Sequence, residues 1–175
     1  YSQLSHRMDI FLPIDLNRVI KEVQLDFDQL LHDKQGQIIL KELPIIDGVP
    51  PQMHQLFSNL ISNSLKYSCA NEAPIIRISS RKLTDTEREK LRLPPVKQGY
   101  ITIIIKDNGI GFQQEYAEKI FQIFQRLHSK TQYEGTGIGL AMCKKIVENH
   151  RGLIYAIGSE GEGAEFRIIL PIQQN

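Results

Sequence analysis

Several features that would assign this chain to a large functional class are missing from its sequence. Its two cysteines, Cys69 and Cys143, are far apart and lack CxxC spacing, so they indicate neither a disulfide framework nor a zinc site. No run approaches the roughly 18 consecutive apolar residues of a membrane helix, and the N-terminus lacks the apolar segment of a signal peptide. These absences favour a cytoplasmic chain that does not insert into a membrane.

An excess of charge is missing as well. The 175 residues contain 21 Lys and Arg against 20 Asp and Glu, a formal net charge of +1, which does not support binding of nucleic acid through bulk charge. Any bound anion must therefore be held by local geometry. With 41% hydrophobic residues, the composition is typical of one packed domain. Because the chain does not begin with Met, we expect it to be part of a longer protein.

The spacing of apolar residues predicts the secondary structure. It indicates helices at about 16–32, 52–67, 115–121 and 138–149, and strands at about 37–41, 75–79, 100–105, 153–157 and 164–170. Residues 44–51 are expected to form an irregular connection, and the charged residues 82–98 a surface excursion. Because helices and strands do not alternate strictly, the order favours an α+β fold, a two-layer α/β sandwich in which helices cover one face of a mixed sheet.

The second predicted helix carries a polar set beside its apolar stripe. Asn59, Asn63, Lys66 and Tyr67 are spaced so that they lie along one side of that helix. Amide oxygens suit a hard cation such as Mg²⁺, and a lysine supplies a point charge for phosphate. The same residues are also common on a solvated helix face, so the pattern alone leaves both interpretations open.

Two glycine-rich turns follow. Asp107 ends a predicted strand and precedes Gly109, Gly111 and Phe112, so its carboxylate could accept from an amino group, although an ordinary turn has the same sequence. A second glycine-rich run leads directly into a helix, whose free amides suit an anion. This run consists of Gly135, Thr136, Gly137, Ile138, Gly139 and Leu140. The sequence lacks GxxxxGK[ST], GxGxxG and the HRD and DFG triplets, which excludes the P-loop, the dinucleotide fingerprint and eukaryotic-type protein kinases.

In this order, with the segment Ile120–Arg126 before the last one, the motifs resemble the catalytic and ATP-binding domain of bacterial sensor histidine kinases. That domain belongs to the wider GHKL ATPase superfamily, shared with gyrase, the heat-shock-90 chaperones and the MutL mismatch-repair proteins. The likeness extends from about 14 to 171 and implies a Bergerat-type ATP-binding fold. It also implies a catalytic domain at 14–175, preceded at 1–13 by the end of the upstream dimerisation and phosphoacceptor helix and a linker.

The resemblance implies a role for each residue of the first two motifs. Asn63 is expected to hold Mg²⁺ through its side-chain oxygen, with Lys66 and Tyr67 facing the phosphates of ATP. Asp107 is expected to accept from the adenine amino group. The next turn, with Gly109, Gly111 and Phe112, is expected to let the backbone pack close to the base.

The remaining matches lie near the second glycine run. Phe121 and Phe124 match the F-box, although simple core packing is expected to be most of their role, and Arg126 matches an arginine that reaches the γ-phosphate. The second glycine box is expected to hold phosphates behind a mobile lid at about 125–137. Its residues are Gly135, Thr136, Gly137, Ile138, Gly139 and Leu140.

One position separates the subfamilies. Superfamily members that hydrolyse ATP with water carry a glutamate general base four residues before the magnesium asparagine, where this chain has Asn59. An amide cannot accept the proton at neutral pH, so transfer of the γ-phosphate to a histidine is expected rather than hydrolysis. The candidate catalytic residues are therefore Asn59, Lys66 and Arg126.

The histidine that accepts the phosphate is not found in this chain. His6 is followed by Arg7 and Met8, which does not match the acceptor sequence of the family, and the other histidines are expected at the surface: His32, His54, His128 and His150. The expected partners are the histidine-phosphotransfer domain upstream in the same protein, through which the parent would dimerise, and a response regulator receiver domain. Two alternatives stay open, namely a degenerate nucleotide-binding or docking module without kinase activity and a stand-alone GHKL ATPase.

Overall fold

A computed structural model describes residues 10–124 and 137–174 of the chain. The strands in this part are β1 (Leu12–Asp15), β2 (Gln37–Leu40), β3 (Ile45–Gly48), β4 (Ile75–Lys82), β5 (Tyr100–Asp107), β6 (Leu153–Ser159) and β7 (Gly163–Pro171). The helices are α1 (Leu16–Asp26), α2 (Asp28–Asp33), α3 (Pro50–Lys66), α4 (Asp85–Lys90) and α5 (Gly139–Asn149), with 3₁₀ turns at Gln114–Tyr116 and Lys119–Phe121. No helix in this part is long and apolar enough to cross a membrane.

The main sheet has five strands in the order β2-β4-β5-β7-β6. Only β2 and β4 are parallel, and the other neighbours are antiparallel. Helices α1, α3 and α5 pack together in one layer, and α5 also contacts β6 and β7. The predicted α+β fold, a mixed sheet covered by helices, is confirmed.

The core lies between this sheet and the helices. Along β5, Ile101, Ile103 and Ile105 belong to the buried cluster, which is the period-two pattern of a strand with one face on the core. Along α3, Leu56, Phe57, Leu60 and Ile61 are fully buried at helical spacing. Packing on its apolar side fixes α3 in rotation, so the side that carries Asn59, Asn63 and Lys66 is left partly exposed.

Three local predictions were wrong in detail, and the surface excursion predicted at 82–98 contains a short exposed helix that was not predicted. The helix expected at 16–32 is interrupted at Phe27, which has φ −108° and ψ 9° and separates α1 from α2. The connection expected at 44–51 contains β3, which pairs antiparallel with β1. The excursion at 82–98 contains α4, started by a capping box in which Thr84 and Glu87 bond to each other's backbone. The short helix expected at 115–121 is two 3₁₀ turns.

Strand β1 begins at Leu12, two residues before the start predicted for the catalytic domain. Leu12 pairs with Gly48 and Pro13 with Asp47, and proline is tolerated on such an edge strand. Residues 12 and 13 therefore pack on the strand that leads into α3. The division at residue 14 stays a prediction.

His150 was expected at the surface, and this prediction was wrong, because the residue is fully buried at the end of α5. Its Nε2 atom accepts from the Val49 amide at 3.0 Å, and its Nδ1 atom lies 2.7 Å from the Ile146 carbonyl oxygen. A carbonyl only accepts, so Nδ1 carries the proton and the ring is neutral. The Phe11 ring packs edge-on against it at 5.0 Å between centroids.

Candidate functional site

Helix α3 connects the predicted site residues of the three motifs. Near its end, the Ser64 hydroxyl donates to Asp107 Oδ2 at 2.8 Å. In its middle, the Asn59 amide donates to the Gly139 carbonyl oxygen, the first residue of α5, at 3.2 Å. The Tyr67 carbonyl, directly after α3, accepts from the Ile110 amide at 2.9 Å. The structure therefore brings the second half of α3, the end of β5 and the start of α5 together.

Asp107 ends β5 with a carboxylate that is 8% exposed. Its Oδ1 atom accepts from the Gly109 and Ala164 amides at 2.9 and 3.1 Å, and Oδ2 accepts from Ser64. Burial raises the pKa of Asp107, while these hydrogen bonds lower it. The carboxylate is thus held in one orientation, with acceptor capacity left for a ligand.

The two glycines after Asp107 are required by contacts with the protein backbone. A Cβ atom at Gly109 would overlap the Tyr67 carbonyl oxygen, and one at Gly111 would overlap the Ser159 carbonyl oxygen. Gly111 also has φ +64°, which favours glycine. The predicted contact of this turn with a base stays a prediction. Phe112, the next residue, is partly buried, and its ring would meet a Cβ atom at Gly158.

The last turns of α3 carry the residues predicted to meet Mg²⁺ and the phosphates. In the part of the chain that the structure describes, the Asn63 side chain has no hydrogen-bond partner, so its amide oxygen is available to a cation. The Lys66 ammonium lies 4.6 Å from the centroid of the Tyr67 ring. Within residues 10–124 and 137–174, no group of three or more His, Cys, Asp and Glu could hold a metal ion. Asn63 therefore suits an ion that is held mainly by phosphate oxygens.

The start of α5 has no side-chain cap. Gly137 has φ +71°, and Ile138, at the N-cap, makes no side-chain cap hydrogen bond, so within residues 10–124 and 137–174 the first amides of α5, including those of Gly139 and Leu140, have no cap partner. An anion is favoured at such a helix start. Arg126, Gly135, Thr136 and all of the predicted lid at about 125–137 except Gly137 lie outside the described residues.

The two phenylalanines of the predicted F-box differ. Phe121 is buried and packs edge-on against Phe166, with ring centroids 6.4 Å apart, so its expected core role is confirmed. Phe124 is 73% exposed, so core packing was the wrong expectation for it. Its amide donates to the Gly137 carbonyl at 3.0 Å, which ties this segment to the start of α5.

Sequence reasoning missed Ser64, the hydroxyl that holds Asp107. A signal was present, because Ser64 lies on the apolar side of α3 between buried Ile61 and Leu65, and a buried hydroxyl needs a partner. The Ala164 amide could not be found in this way. It reaches Asp107 only because β5 and β7 are neighbours in the sheet.

Comparison with known proteins gives close relatives for the whole chain. Cyanobacterial phytochrome A of Nostoc sp. is 35% identical over 172 residues, which are 98% of this chain and 20% of that protein. The sensor protein kinase WalK of Staphylococcus aureus is 36% identical over 126 residues, which are 71% of this chain and 27% of that protein. The chain thus spans about a fifth to a quarter of the length of these relatives.

Solved structures share the fold. The mycobacterial sensor histidine kinase MprB superposes with a TM-score of 0.70 at 19% identity, covering 95% of this chain and 100% of that chain. The histidine kinase ThkA, solved in complex with the response regulator protein TrrA, gives 0.66 at 20% identity, covering 93% of this chain and 42% of that chain. The sequence profile described as histidine kinase-, DNA gyrase B-, and HSP90-like ATPase matches residues 48–174. The predicted relationship is confirmed, and the chain belongs to this family of ATPases.

Proposed function

We propose that this chain binds ATP with Mg²⁺ and donates the γ-phosphate to a histidine on a separate domain, as the catalytic part of a two-component sensor histidine kinase. The observation that carries the nucleotide site is the buried Asp107 carboxylate, held by Ser64 and two backbone amides. Such an acceptor accepts from the adenine amino group and rejects a base that presents a carbonyl at the same position. Family membership supports the same assignment.

The phosphates would lie between the end of α3 and the start of α5. Lys66 supplies a point charge, and the amides of Gly139 and Leu140 point out of an uncapped helix start. The Asn63 amide oxygen would hold Mg²⁺, which when bound neutralises phosphate charge. Arg126 stays a predicted contact of the γ-phosphate. Phosphoryl transfer needs mainly positioning and charge stabilisation, and these residues provide both.

Transfer to a histidine is favoured over hydrolysis. Asn59 stands where a hydrolytic relative has its general base, and its amide already donates to the Gly139 carbonyl. In the proposed reaction the bond from the γ-phosphorus to the bridging oxygen breaks, and a bond to an imidazole nitrogen forms. ADP leaves, and the imidazole proton passes to solvent. A neutral imidazole attacks without a strong base, because its unperturbed pKa is near 6.5.

The proposed partners follow from this reaction. The acceptor histidine belongs to an upstream dimerisation and histidine-phosphotransfer domain of the same protein, and the phosphate then passes to a response regulator receiver domain. ThkA has been solved with a response regulator, which supports the second partner. We further propose a homodimeric parent and a cytoplasmic location, with no nucleic-acid partner and no insertion of these residues into a membrane.

The test is to mix the purified chain with the upstream hairpin of its parent and ATP labelled at the γ-position. We expect label on a histidine of the hairpin only when the chain and Mg²⁺ are present, and little release of free phosphate. At an ATP concentration near the wild-type dissociation constant, Asp107→Asn should strongly reduce labelling, while Asp33→Asn, an exposed matched control on α2, should not.

Other outcomes favour other functions. Steady phosphate release without a partner would indicate a stand-alone ATPase, and no binding of nucleotide would indicate a degenerate docking module. Rapid labelling of a histidine of the chain itself would contradict the assignment of the acceptor to a separate domain.

A further inference from the structure

The two asparagines of α3 differ in their side-chain hydrogen bonds. The Asn63 side chain has no hydrogen-bond partner within residues 10–124 and 137–174, whereas the Asn59 amide is bonded at both ends. Asn59 Nδ2 donates to the Gly139 carbonyl at 3.2 Å, and Asn59 Oδ1 accepts from Gln55 Nε2 at 3.0 Å. Gln55 lies one helical turn before Asn59 on the exposed side of α3.

The orientation of the Asn59 amide follows from its partners. The Gly139 carbonyl can only accept, so it must meet the NH₂ group of Asn59, and this leaves the oxygen of Asn59 towards Gln55. The Gln55 amide satisfies that oxygen by donating an N–H. If Gln55 lost its donor, the Asn59 oxygen would lose its partner, and only the bond to the Gly139 carbonyl would hold the orientation of the Asn59 amide.

The hydrogen bond from Asn59 to Gly139 lies at the proposed phosphate-binding end of the site. Gly139 is the first residue of α5 and directly follows Gly137 and Ile138, at the helix start where we place the phosphates. Ile138 provides no side-chain cap for this start. The buried Cys143 thiol, one turn further along α5, makes a second contact with α3 by donating to the Leu56 carbonyl at 3.8 Å. Asn59 therefore attaches the first turn of α5 to α3.

We propose that Gln55 is a positioning residue for the phosphate end of the site: it orients Asn59, and Asn59 holds the first turn of α5 in place on α3. This proposal rests on the proposed nucleotide function. Asn59 then has a structural role in addition to lacking the basicity of a glutamate. A carboxylate at that position would face the Gly139 carbonyl without a proton to donate, so it could not make this hydrogen bond. Gln55, which no motif in the sequence singled out, becomes part of the site.

The test compares Gln55→Met with Gln29→Met. Both glutamines donate from Nε2 to a side-chain oxygen four residues later on an exposed helix face, at 3.0 and 2.8 Å, but Gln29 lies on α2. Titration calorimetry with ATP·Mg²⁺ and with adenosine separates the phosphate end from the base end. We expect Gln55→Met to weaken ATP·Mg²⁺ roughly three- to tenfold, the effect of one neutral hydrogen bond, and to leave adenosine unchanged. Gln29→Met should change neither.

A double-mutant cycle tests whether Gln55 acts through Asn59. In an Asn59→Ala background, Gln55→Met should have no further effect on ATP·Mg²⁺ affinity. Equal weakening of adenosine and ATP·Mg²⁺, or a full effect of Gln55→Met in the Asn59→Ala background, would overturn the proposal.

Hydrogen exchange of the nucleotide-free chain gives a second measurement. The amides of residues 139–143 should exchange faster in Gln55→Met and in Asn59→Ala than in wild type, and unchanged exchange would contradict the positioning role. If wild type binds no ATP, the proposed function fails, while the exchange measurement still decides the role of Gln55.

Discussion

At the scale of single residues, Asp107 combines the cost of burying a carboxylate with a proposed role in binding adenine. Its carboxylate is buried, its pKa is raised by burial, and its three hydrogen bonds come from Ser64 and the Gly109 and Ala164 amides. An asparagine can keep the bonds to both backbone amides through its oxygen, and the Ser64 hydroxyl can rotate to accept from its NH₂ group. Function and stability therefore make opposite demands at this position.

We predict that Asp107→Asn weakens ATP and ADP alike by roughly ten- to a hundredfold, while the free energy of unfolding at pH 7 is maintained or increased. Calorimetric titration and urea unfolding measure the two effects, with Asp33→Asn as the exposed control. As the pH falls, a group whose pKa is raised in the native state takes up its proton in the folded chain before it does so in the unfolded chain. The free energy of unfolding of wild type should therefore rise relative to that of the variant as the pH falls towards 3.8. Unchanged ADP affinity in Asp107→Asn would contradict the adenine assignment.

The positions of the candidate site residues on their elements could be predicted from the sequence, but their hydrogen-bond partners could not. Asn63, Lys66 and Asp107 belong to local motifs, and the structure places them on α3 and at the end of β5 as expected. The bonds that hold the site, from Ser64 to Asp107 and from Asn59 to Gly139, join residues 43 and 80 positions apart. Such bonds depend on tertiary packing, which the spacing of apolar residues along the sequence does not reveal.

At the scale of elements, His150 connects the end of α5 to the start of α3. It lies at a helix end, which is why the sequence indicated an exposed side chain, yet its partner Val49 is 101 positions away and directly precedes α3. Contacts between elements thus decided its burial. The hydrogen bond between Val49 and His150 thereby joins α3 and α5, the two helices of the candidate site, at the ends that lie away from Asn59 and Gly139.

We predict that His150→Leu lowers the free energy of unfolding by about 1–3 kcal/mol, because the Val49 amide would stay buried without its acceptor. Urea unfolding followed by circular dichroism measures the change. His32→Leu is the matched control, since the His32 side chain is 86% exposed, and it should change the free energy by less than about 0.5 kcal/mol. If both variants unfold at the same urea concentration as wild type, His150 does not connect the helices.

Helix α4 in the excursion should respond to acid on its own. The Arg81 guanidinium and the Thr84 backbone and hydroxyl lower the pKa of Glu87 from 4.5 to about 2. A lowered native pKa stabilises the fold above the unfolded value, and this contribution is lost as the pH falls from about 4.5 to about 2. We predict that α4 amides lose protection from hydrogen exchange over this range, after correction for intrinsic rates. In Glu87→Gln, the protection should no longer depend on pH there; a pH response equal to that of wild type would contradict this assignment.

At the scale of the whole molecule, a net charge near zero is compatible with the proposed binding of ATP phosphates, because the proposed site contains few charged side chains. The chain carries a formal net charge of +1, and the proposed phosphate contacts are one lysine, one arginine and the amides at the start of α5. The sequence predicted the layers of the fold, because long helices and strands have strong periodicity. It missed β1, β3 and α4, which have 4, 4 and 6 residues, since short elements depend on pairing and capping rather than on periodicity.

Because the proposed site has few charged side chains, we expect that it binds Mg²⁺ only together with nucleotide. The described residues contain no cluster of acidic side chains that could hold a metal ion, and Mg²⁺ gives up its water shell reluctantly. We predict that millimolar Mg²⁺ alone leaves the midpoint of thermal unfolding unchanged. ATP with Mg²⁺, at about a hundred times its dissociation constant, should raise the midpoint by roughly 5–10 °C.

The variant Asn63→Ala distinguishes the binding of Mg²⁺ from the binding of ATP. It should still be stabilised by ATP, because Asp107 and the helix start are intact, but added Mg²⁺ should increase this stabilisation less than in wild type. Thermal unfolding with ATP and either Mg²⁺ or a chelator measures the difference. A rise in the midpoint with Mg²⁺ alone would mean that the chain holds the ion without phosphate oxygens, and a full magnesium effect in Asn63→Ala would mean that another residue is the ligand.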